Sequence, residues 1–179
     1  YTDPVTGDPM SITIEGNNGD DVIYGSSGFG DVISGGDGDD FIDGREGNDV
    51  ITGDDGNDSI YGQDGDDEIS GNDGDDFVVG LAGDDVIDGG DGADTLNGGD
   101  GNDDITGNGG NNTISAGEGD DQINLTTADS GSVDAGEDPG EPGDDTDRVL
   151  FTASGGNDNV VLTDLGSSEV AVDINGVRT

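Results

Sequence analysis

The sequence predicts an all-β protein, a β-solenoid built from stacked parallel strands. Between residues 16 and 124 a nine-residue unit occurs twelve times in succession. Glycine recurs at positions one and four of the unit, aspartate at position six in eleven units, and a branched aliphatic residue at position eight. A short unit repeated at a fixed period is typical of a structure made by stacking one element on itself.

The aliphatic residue at position eight is expected to form the core. Successive strand residues point to opposite faces, so position eight points inward while positions seven and nine, which vary in polarity, point outward. Positions seven to nine then form a three-residue strand, and the six glycine-rich residues before it turn the chain back. Two units are expected to close one coil, so that odd and even units form two facing parallel sheets. The predicted core residues are Ile23, Ile33, Ile42, Ile51, Ile60, Ile69, Val78, Ile87, Leu96, Ile105, Ile114 and Ile123.

The segments that flank the repeat at 16–124 lack its acidic loops or its periodicity. Residues 1–15 are expected to be an N-terminal capping segment, because Ile14 falls nine residues before Ile23 without an acidic loop. Residues 125–147 are expected to be an acidic Gly/Pro loop. Residues 148–179 are expected to form C-terminal capping strands, since stacked repeats usually need capped ends.

The composition excludes several classes of function. The chain has no cysteine or histidine, only three basic residues, and a formal net charge of −42. Disulfides and zinc–thiolate sites are therefore excluded, and nucleic acid and anionic membranes would be repelled. No apolar run approaches the roughly 18 residues that span a bilayer, so no membrane span is expected. Low hydrophobicity with high charge is also typical of disorder or a halophilic surface, but the 38 aspartates against 7 glutamates, fixed in phase, favour a metal-dependent fold.

The aspartates at position six are the candidate metal ligands. With two units in each coil, Asp40 should face Asp58, and Asp49 should face Asp67, where bare carboxylates would repel one another. Only carboxylate and backbone carbonyl oxygens are available, and six to eight flexible oxygen ligands favour calcium over magnesium. Twelve loops give about ten interloop sites for Ca2+ if every such pair is used. The candidate ligands are Asp21, Asp31, Asp40, Asp49, Asp58, Asp67, Asp76, Asp85, Asp94, Asp103 and Asp121.

These units resemble the G-G-x-G-x-D-x-(Leu/Ile/Val)-x nonapeptides of the RTX (repeats-in-toxin) calcium-binding family. The resemblance implies a right-handed parallel β-roll in which the position-six aspartate coordinates calcium through its side chain. It also implies that carbonyl oxygens of the first four loop positions complete the shell. The glycines implied as carbonyl ligands include Gly36, Gly38, Gly47, Gly56, Gly65, Gly74, Gly83, Gly90, Gly92, Gly99 and Gly101.

The same resemblance carries expectations about cellular context. Such modules are typically secreted to the outside or the cell surface of Gram-negative bacteria by type I secretion machinery. They are unfolded in the calcium-poor cytosol and fold outside. The expected partners are therefore calcium, that machinery and an adjacent domain of the parent protein.

Three units depart from the repeat. Unit 2 has one extra residue, which predicts a displaced Asp31 and a distorted site with Asp49. Unit 11 carries Asn112, a neutral ligand that should weaken the site shared with Asp94. Unit 12 begins with Ala116, which should cost turn freedom. Full occupancy is therefore expected in units 3–10 and reduced occupancy at both ends.

No enzymatic centre is expected in this chain. An EF-hand would need a twelfth-position acid and flanking helices, and a catalytic carboxylate pair should be unique, whereas this pair recurs at every coil. Ice-binding β-rolls present aligned threonines at position three, which is never threonine here. The chain is interpreted as a non-catalytic calcium-binding β-roll that folds after export and stabilises its parent protein. The alternatives are a rigid spacer of a surface adhesin or surface-layer protein, or an accessory carbohydrate-binding module.

Four aromatic residues, which we call the aromatic strip, occupy outward positions of odd units and should share one sheet face. They are Tyr24, Phe41, Tyr61 and Phe77. One interpretation is strand propensity on a solvated face. The other is a docking surface for a domain of the parent protein or for a sugar ring.

Overall fold

The computed structural model confirms the predicted all-β solenoid. It describes residues 10–126, 129–136, 147–151, 160–163, 173–174 and 177–178. All regular elements in these residues are strands. The described residues contain no helix long and apolar enough to cross a membrane. The strands are β1 Thr13–Asn18, β2 Val22–Tyr24, β3 Val32–Asp37, β4 Phe41–Glu46, β5 Val50–Asp55, β6 Ser59–Asp64, β7 Glu68–Asp73, β8 Phe77–Ala82, β9 Val86–Asp91, β10 Thr95–Asp100, β11 Asp104–Thr106, β12 Gly110–Glu118, β13 Gln122–Leu125, β14 Asp129–Asp134, β15 Arg148–Phe151, β16 Val160–Thr163, β17 Asp173–Ile174 and β18 Val177–Arg178.

The strands form two parallel eight-stranded sheets. The odd-numbered strands from β1 to β15 make one sheet in sequence order, and the even-numbered strands from β2 to β16 make the other. The short strands β17 and β18 pair with each other in antiparallel fashion. Ile42 pairs with Ile60 in one sheet, and Ile51 pairs with Ile69 in the other. Two nine-residue units therefore close each coil, as predicted.

Most strands are longer than the three residues expected from the sequence. Strand β4 covers positions seven to nine of one unit and positions one to three of the next. At position two the backbone takes a left-handed conformation, with φ at 78° for Arg45, yet this residue still pairs with Gln63. The strand therefore bends without leaving its ladder, and the loop that reverses the chain is confined to positions four to six.

The position-eight side chains form one continuous core, as predicted. All twelve are at most 6% exposed. The core also includes Leu125, Val133 and Val149 beyond the repeat, and Ile14 packs against it before the first unit. Burial of these aliphatic rows holds the two sheets face to face.

The parallel ladders extend past the twelve units. Strand β1 already pairs with β3, and β13 pairs with β15. The segment expected to be a loop contains a strand, since Asp129–Asp134 forms β14, in which Val133 pairs with Ile114 and is buried. Residues 137–146 of that segment lie outside the described residues. The proposed extents of the two caps stay predictions.

Position five carries a second ladder of hydrogen bonds along the outside of the loops. The backbone N–H of Asp75 donates to Oδ1 of Asn57 at 2.9 Å, and the N–H of Asn57 donates to Oδ1 of Asp39 at 2.9 Å. On the other edge the N–H of Asp84 donates to Oδ1 of Asp66 at 3.0 Å. Aspartate and asparagine suit this position because each places a carbonyl-type oxygen under the next coil.

Candidate metal centre

The position-six residues form two columns, one along each edge of the solenoid. In each consecutive pair, Oδ1 of the later residue accepts a hydrogen bond of 2.7–3.0 Å from the backbone N–H of the earlier one. All members except the partly buried Asp21 are at most 3% exposed. One column consists of Asp21, Asp40, Asp58, Asp76, Asp94 and Asn112, and the other of Asp31, Asp49, Asp67, Asp85, Asp103 and Asp121. The carboxylates therefore stack one coil apart, as the two-unit coil requires.

The second carboxylate oxygen of most column members is buried and accepts no hydrogen bond from the described residues. These atoms are the Oδ2 oxygens of Asp21, Asp40, Asp49, Asp58, Asp67, Asp76, Asp85 and Asp103. A buried charged oxygen without a donor is costly. The chain has no lysine or histidine and only three arginines, so it holds too few cations to neutralise two such columns. The columns therefore fit a cation supplied from solution.

The glycines at position one bring backbone carbonyls to these oxygens. A Cβ on Gly71 would collide with Oδ2 of Asp76 and with the carbonyl oxygen of Gly89. The position-one glycines do not have positive φ, so glycine is needed here for space rather than for backbone freedom. Within the described residues no three acidic side chains converge on one point. The oxygen set is therefore mixed, carboxylate with carbonyl, which suits a hard cation such as calcium.

The glycines named from the sequence as carbonyl ligands lie at positions two and four of their units. All eleven have positive φ, between 97° and 154°. A Cβ on Gly56 would collide with the carbonyl oxygen of Gly38, and one on Gly65 with that of Gly47. Carbonyls of successive loops thus stack directly over glycine Cα atoms. The role of these glycine carbonyls as calcium ligands stays a prediction. The carbonyl oxygens of the position-one glycines are further candidate ligands.

Unit 2 accommodates its extra residue without moving Asp31 out of its column. The N–H of Asp31 donates to Oδ1 of Asp49 at 2.7 Å, so the expected displacement is wrong. Instead the longer loop brings Ser26 onto the carboxylate of Asp31. The backbone N–H of Ser26 donates to Oδ2 at 2.5 Å and its hydroxyl donates to Oδ1 at 3.0 Å. Asp31 is therefore already hydrogen-bonded at both oxygens, which competes with a metal ion.

In unit 11 an amide replaces the carboxylate, and both its oxygen and its nitrogen make hydrogen bonds. Oδ1 of Asn112 accepts from the N–H of Asp94 at 2.9 Å, and Nδ2 donates to the carbonyl oxygen of Gly107 at 3.1 Å. Gly107 is the position-one residue of the same unit, so the amide nitrogen engages a carbonyl of the kind that elsewhere lies beside Oδ2. This supports the weaker site predicted there.

In unit 12 the expected loss of turn freedom is wrong. Ala116 has no positive φ and is fully buried at the edge of the core.

The sequence pattern did not single out Asp147, which extends one column. Oδ1 of Asp147 accepts a hydrogen bond of 3.1 Å from the N–H of Asp121, and the side chain is 1% exposed. The signal was present in the chain, because Asp147-Arg148-Val149 repeats the spacing between positions six and eight. The long insertion before it hid the phase.

Burial raises the pKa of seven column carboxyls, those of Asp40, Asp49, Asp58, Asp67, Asp76, Asp85 and Asp103. Desolvation is the largest cause, the backbone N–H donated to each carboxylate works against it, and neighbouring carboxylates add to the rise. The pKa of Asp40 is raised by the same causes. The pKa is about 6 for Asp49, Asp58, Asp76 and Asp103 and about 7 for Asp67 and Asp85. At neutral pH the charge on these carboxylates is therefore less favourable in the metal-free folded state than in the unfolded chain.

Lowering the pH in a chelator should stabilise the fold. Because these pKa values are higher in the folded state, the folded state binds more protons, and its stability falls as pH rises from about 4 through 6 to 7. Far-UV circular dichroism in calcium-free buffer should show the β signal growing as pH drops from about 7.5 to about 5, above the pI of about 4.1. A metal-free β signal that stays constant or falls over this range would contradict the prediction.

Gly71→Ala should weaken calcium binding at one edge of the roll. The added methyl group would meet Oδ2 of Asp76 and the carbonyl oxygen of Gly89, so both oxygens would have to move apart. Isothermal titration calorimetry should show about one ion fewer per chain, or a lower affinity for it. The reciprocal variant, Ala116→Gly, removes a methyl group from the same position and should not lower binding. Equal calcium binding by Gly71→Ala and the unmodified chain would show that the oxygens beside Gly71 do not form a calcium site.

Stacked parallel coils with buried carboxylates and adjacent carbonyl oxygens along both edges define a metal-binding β-solenoid. A family model described as "RTX calcium-binding nonapeptide repeat (4 copies)" matches residues 13–30, 27–60, 43–78, 61–96, 70–105 and 97–126. These matches cover more than half of the chain, so it belongs to the RTX calcium-binding nonapeptide repeat family. Such a repeat domain is a non-catalytic structural calcium-binding module, and the family is typical of secreted bacterial proteins. No curated protein matches the chain.

Proposed function

We propose that this chain is the calcium-dependent folding module of a secreted bacterial protein. It remains disordered in the calcium-poor cytosol, leaves through type I secretion machinery, and folds outside the cell, where it stabilises an adjacent domain. The observation that carries this proposal is the set of buried Oδ2 oxygens that accept no hydrogen bond from the described residues, namely those of Asp40, Asp49, Asp58, Asp67, Asp76, Asp85 and Asp103. Each is a reason for the fold to be unfavourable until a cation arrives.

The proposed ligands are the position-six aspartates together with carbonyl oxygens of positions one, two and four. With one ion between each pair of stacked loops, the roll would hold about ten calcium ions. Binding should be strongest in units 3–10. It should be weaker where Ser26 engages Asp31 and where Asn112 replaces a carboxylate.

The export proposal requires the calcium concentration at the folding midpoint to lie between the cytosolic and the extracellular concentration. Extracellular calcium modules typically bind at about 10⁻⁴ to 10⁻³ M, far above cytosolic levels. Limited proteolysis with an unspecific protease at a series of free calcium concentrations would locate the folding midpoint. We expect rapid digestion at submicromolar calcium and resistance of residues 10–126 at millimolar calcium. The protease is tested on a calcium-independent protein in the same buffers as a control.

The alternative is a rigid spacer of a cell-surface adhesin or surface-layer protein. A spacer needs rigidity outside the cell but has no need to be unfolded inside it. Resistance to the protease already at submicromolar calcium would therefore remove the support for export-coupled folding and favour the spacer. The two eight-stranded sheets of the roll are compatible with both functions.

A further inference from the structure

The aromatic strip lies on the outer face of the even-numbered sheet, as predicted. Its rings belong to the adjacent strands β2, β4, β6 and β8, and consecutive ring centroids are 6.0, 5.6 and 5.9 Å apart. Tyr24 is 49% and Phe77 40% exposed, while Phe41 and Tyr61 are half-buried between them. The strip is thus a continuous apolar surface on an otherwise strongly acidic molecule.

A row of three strained residues runs beside the strip. Arg45, Gln63 and Leu81 pair with one another in successive strands of this sheet and have φ of 78°, 85° and 88°. Positive φ is uncommon for large side chains, and such strain concentrates where a side chain has a function.

Two comparisons set this row apart. In the opposite sheet the described residues with positive φ at the same position are asparagine, aspartate or glycine, such as Asp54, Asn72 and Gly90, which adopt this conformation readily. In the same sheet the row reverts to Gly99 and Gly117 beyond β8, where the strip has ended. Among the described residues, the strained side chains therefore lie in the same three strands, β4, β6 and β8, as the rings of Phe41, Tyr61 and Phe77.

A cleft of about 310 Å³ adjoins one end of the strip. The guanidinium of Arg45 lies 5.2 Å from the ring centroid of Tyr24, which joins the cleft to the strip. Asp43 stands in register between Tyr24 and Tyr61, and its Oδ1 is buried without a hydrogen-bond donor among the described residues. The cleft is lined by Ser27, Asp43, Arg45, Glu46, Gln63 and Asp64. It therefore offers hydroxyl, amide, guanidinium and carboxylate groups within one small volume.

The size of this surface fits a narrow ligand rather than a folded domain. An aromatic side chain has about 150–250 Å² of surface, so the exposed parts of Tyr24 and Phe77 amount to roughly 100 Å² each. The strip as a whole offers a few hundred Å², whereas a stable protein interface needs about 800 Å² from each partner. The cleft lies at the lower end of the range of about 300–1,000 Å³ that is usual for small-ligand sites.

The charge and the chemical groups of the surface restrict the class of ligand further. A net charge of −42 disfavours any anionic ligand, and Arg45 already occupies the face of Tyr24 that a cation would use. A ligand is needed that presents apolar ring faces to the strip and many hydroxyl groups to the cleft. We propose that this face binds an uncharged oligosaccharide, with sugar rings against the aromatic strip and hydroxyl groups hydrogen-bonded in the cleft. The proposal needs the folded roll as its scaffold but does not depend on export.

Affinity electrophoresis in calcium-containing native gels tests the proposal. Gels are cast with hydroxyethylcellulose, a soluble β-glucan or a galactomannan, and with alginate as the anionic comparison. We expect at least one neutral polysaccharide to retard the chain and alginate not to. In the triple variant Arg45→Gly, Gln63→Gly, Leu81→Gly, binding should weaken by about tenfold or more, since several hydrogen bonds are lost.

The triple variant is chosen because it should fold at least as well as the unmodified chain, since glycine prefers the φ of these positions. The matched control is Asp54→Gly with Asn72→Gly, the same change in the opposite sheet, and it should leave retardation unchanged. Far-UV circular dichroism in calcium confirms the fold of each variant, so loss of the scaffold is distinguished from loss of the ligand.

Tyrosine fluorescence provides a second readout. The chain has three tyrosines and no tryptophan, and two of those tyrosines, Tyr24 and Tyr61, belong to the strip. Addition of the retarding polysaccharide should change their emission in the unmodified chain. The proposal is overturned if no neutral polysaccharide retards the folded chain, if only alginate does, or if the triple variant binds as well as the control. It is equally overturned if this face retains a polypeptide but none of the polysaccharides.

Discussion

Removing calcium is expected to abolish the β structure of the roll. At neutral pH the buried column carboxylates repel one another, and the Oδ2 oxygens of most of them accept no hydrogen bond from the described residues. These are the Oδ2 oxygens of Asp21, Asp40, Asp49, Asp58, Asp67, Asp76, Asp85 and Asp103. Linkage gives the size of the opposing effect, because a site at ten times its dissociation constant adds about 1.4 kcal/mol. About ten sites would add on the order of 14 kcal/mol, which is comparable to the net stability of a whole domain. Metal binding is therefore large enough to decide whether the chain folds.

A calcium titration followed by far-UV circular dichroism measures this effect. Between about 1 μM and about 10 mM calcium, we expect one cooperative transition from a disordered to a β spectrum. Magnesium is the control, and it should not produce the transition, because it demands a tight octahedral shell that flexible carbonyl loops do not supply. A full β spectrum in chelator at neutral pH would show that the aliphatic core and the hydrogen-bonded columns suffice without metal.

The sequence predicted the features that follow from periodicity alone. A strict period with two units per coil places each residue under its counterpart eighteen residues later, so the core and the stacked carboxylates follow from counting. Asp58 accordingly lies one coil above Asp40, and Ile60 pairs with Ile42. In a quasi-one-dimensional fold of this kind each coil contacts only its neighbours, so few other arrangements compete.

The features that the sequence did not predict depend on local backbone conformation or on long insertions. The six-residue strands arise because position two bends at positive φ while remaining paired, as Arg45 does. The capture of Asp31 by Ser26 depends on how one inserted residue folds within its loop. Asp147 joins the column only after a long insertion, so its phase could not be counted through from Asp121.

The double variant Asp67→Asn, Asp85→Asn should change stability in opposite directions with and without calcium. Both carboxyls have a pKa of about 7, chiefly because burial disfavours their charged form. In chelator above neutral pH, removal of each buried charge should stabilise the fold by an amount on the order of 3 kcal/mol. Asparagine keeps the oxygen that accepts the backbone N–H, as Asn112 shows with Asp94. It can also donate to a position-one carbonyl, as Asn112 does to Gly107.

With calcium the same double variant should be less stable than the unmodified chain, because neutral amides replace charged ligands at the middle of one column. Urea unfolding at pH about 8, with and without calcium, measures both effects as shifts of the midpoint in opposite directions. The matched control is Asp66→Asn with Asp84→Asn, which removes the same charge from the neighbouring, exposed position-five sites. Oδ1 of Asp66 and Oδ1 of Asp84 accept ladder hydrogen bonds, and an asparagine oxygen accepts the same bond at Asn57. That control should shift both midpoints slightly and in the same direction, by relief of general repulsion. If the column variant behaved like this control, position six would contribute only charge, and the calcium sites would have to be sought among the backbone carbonyls alone.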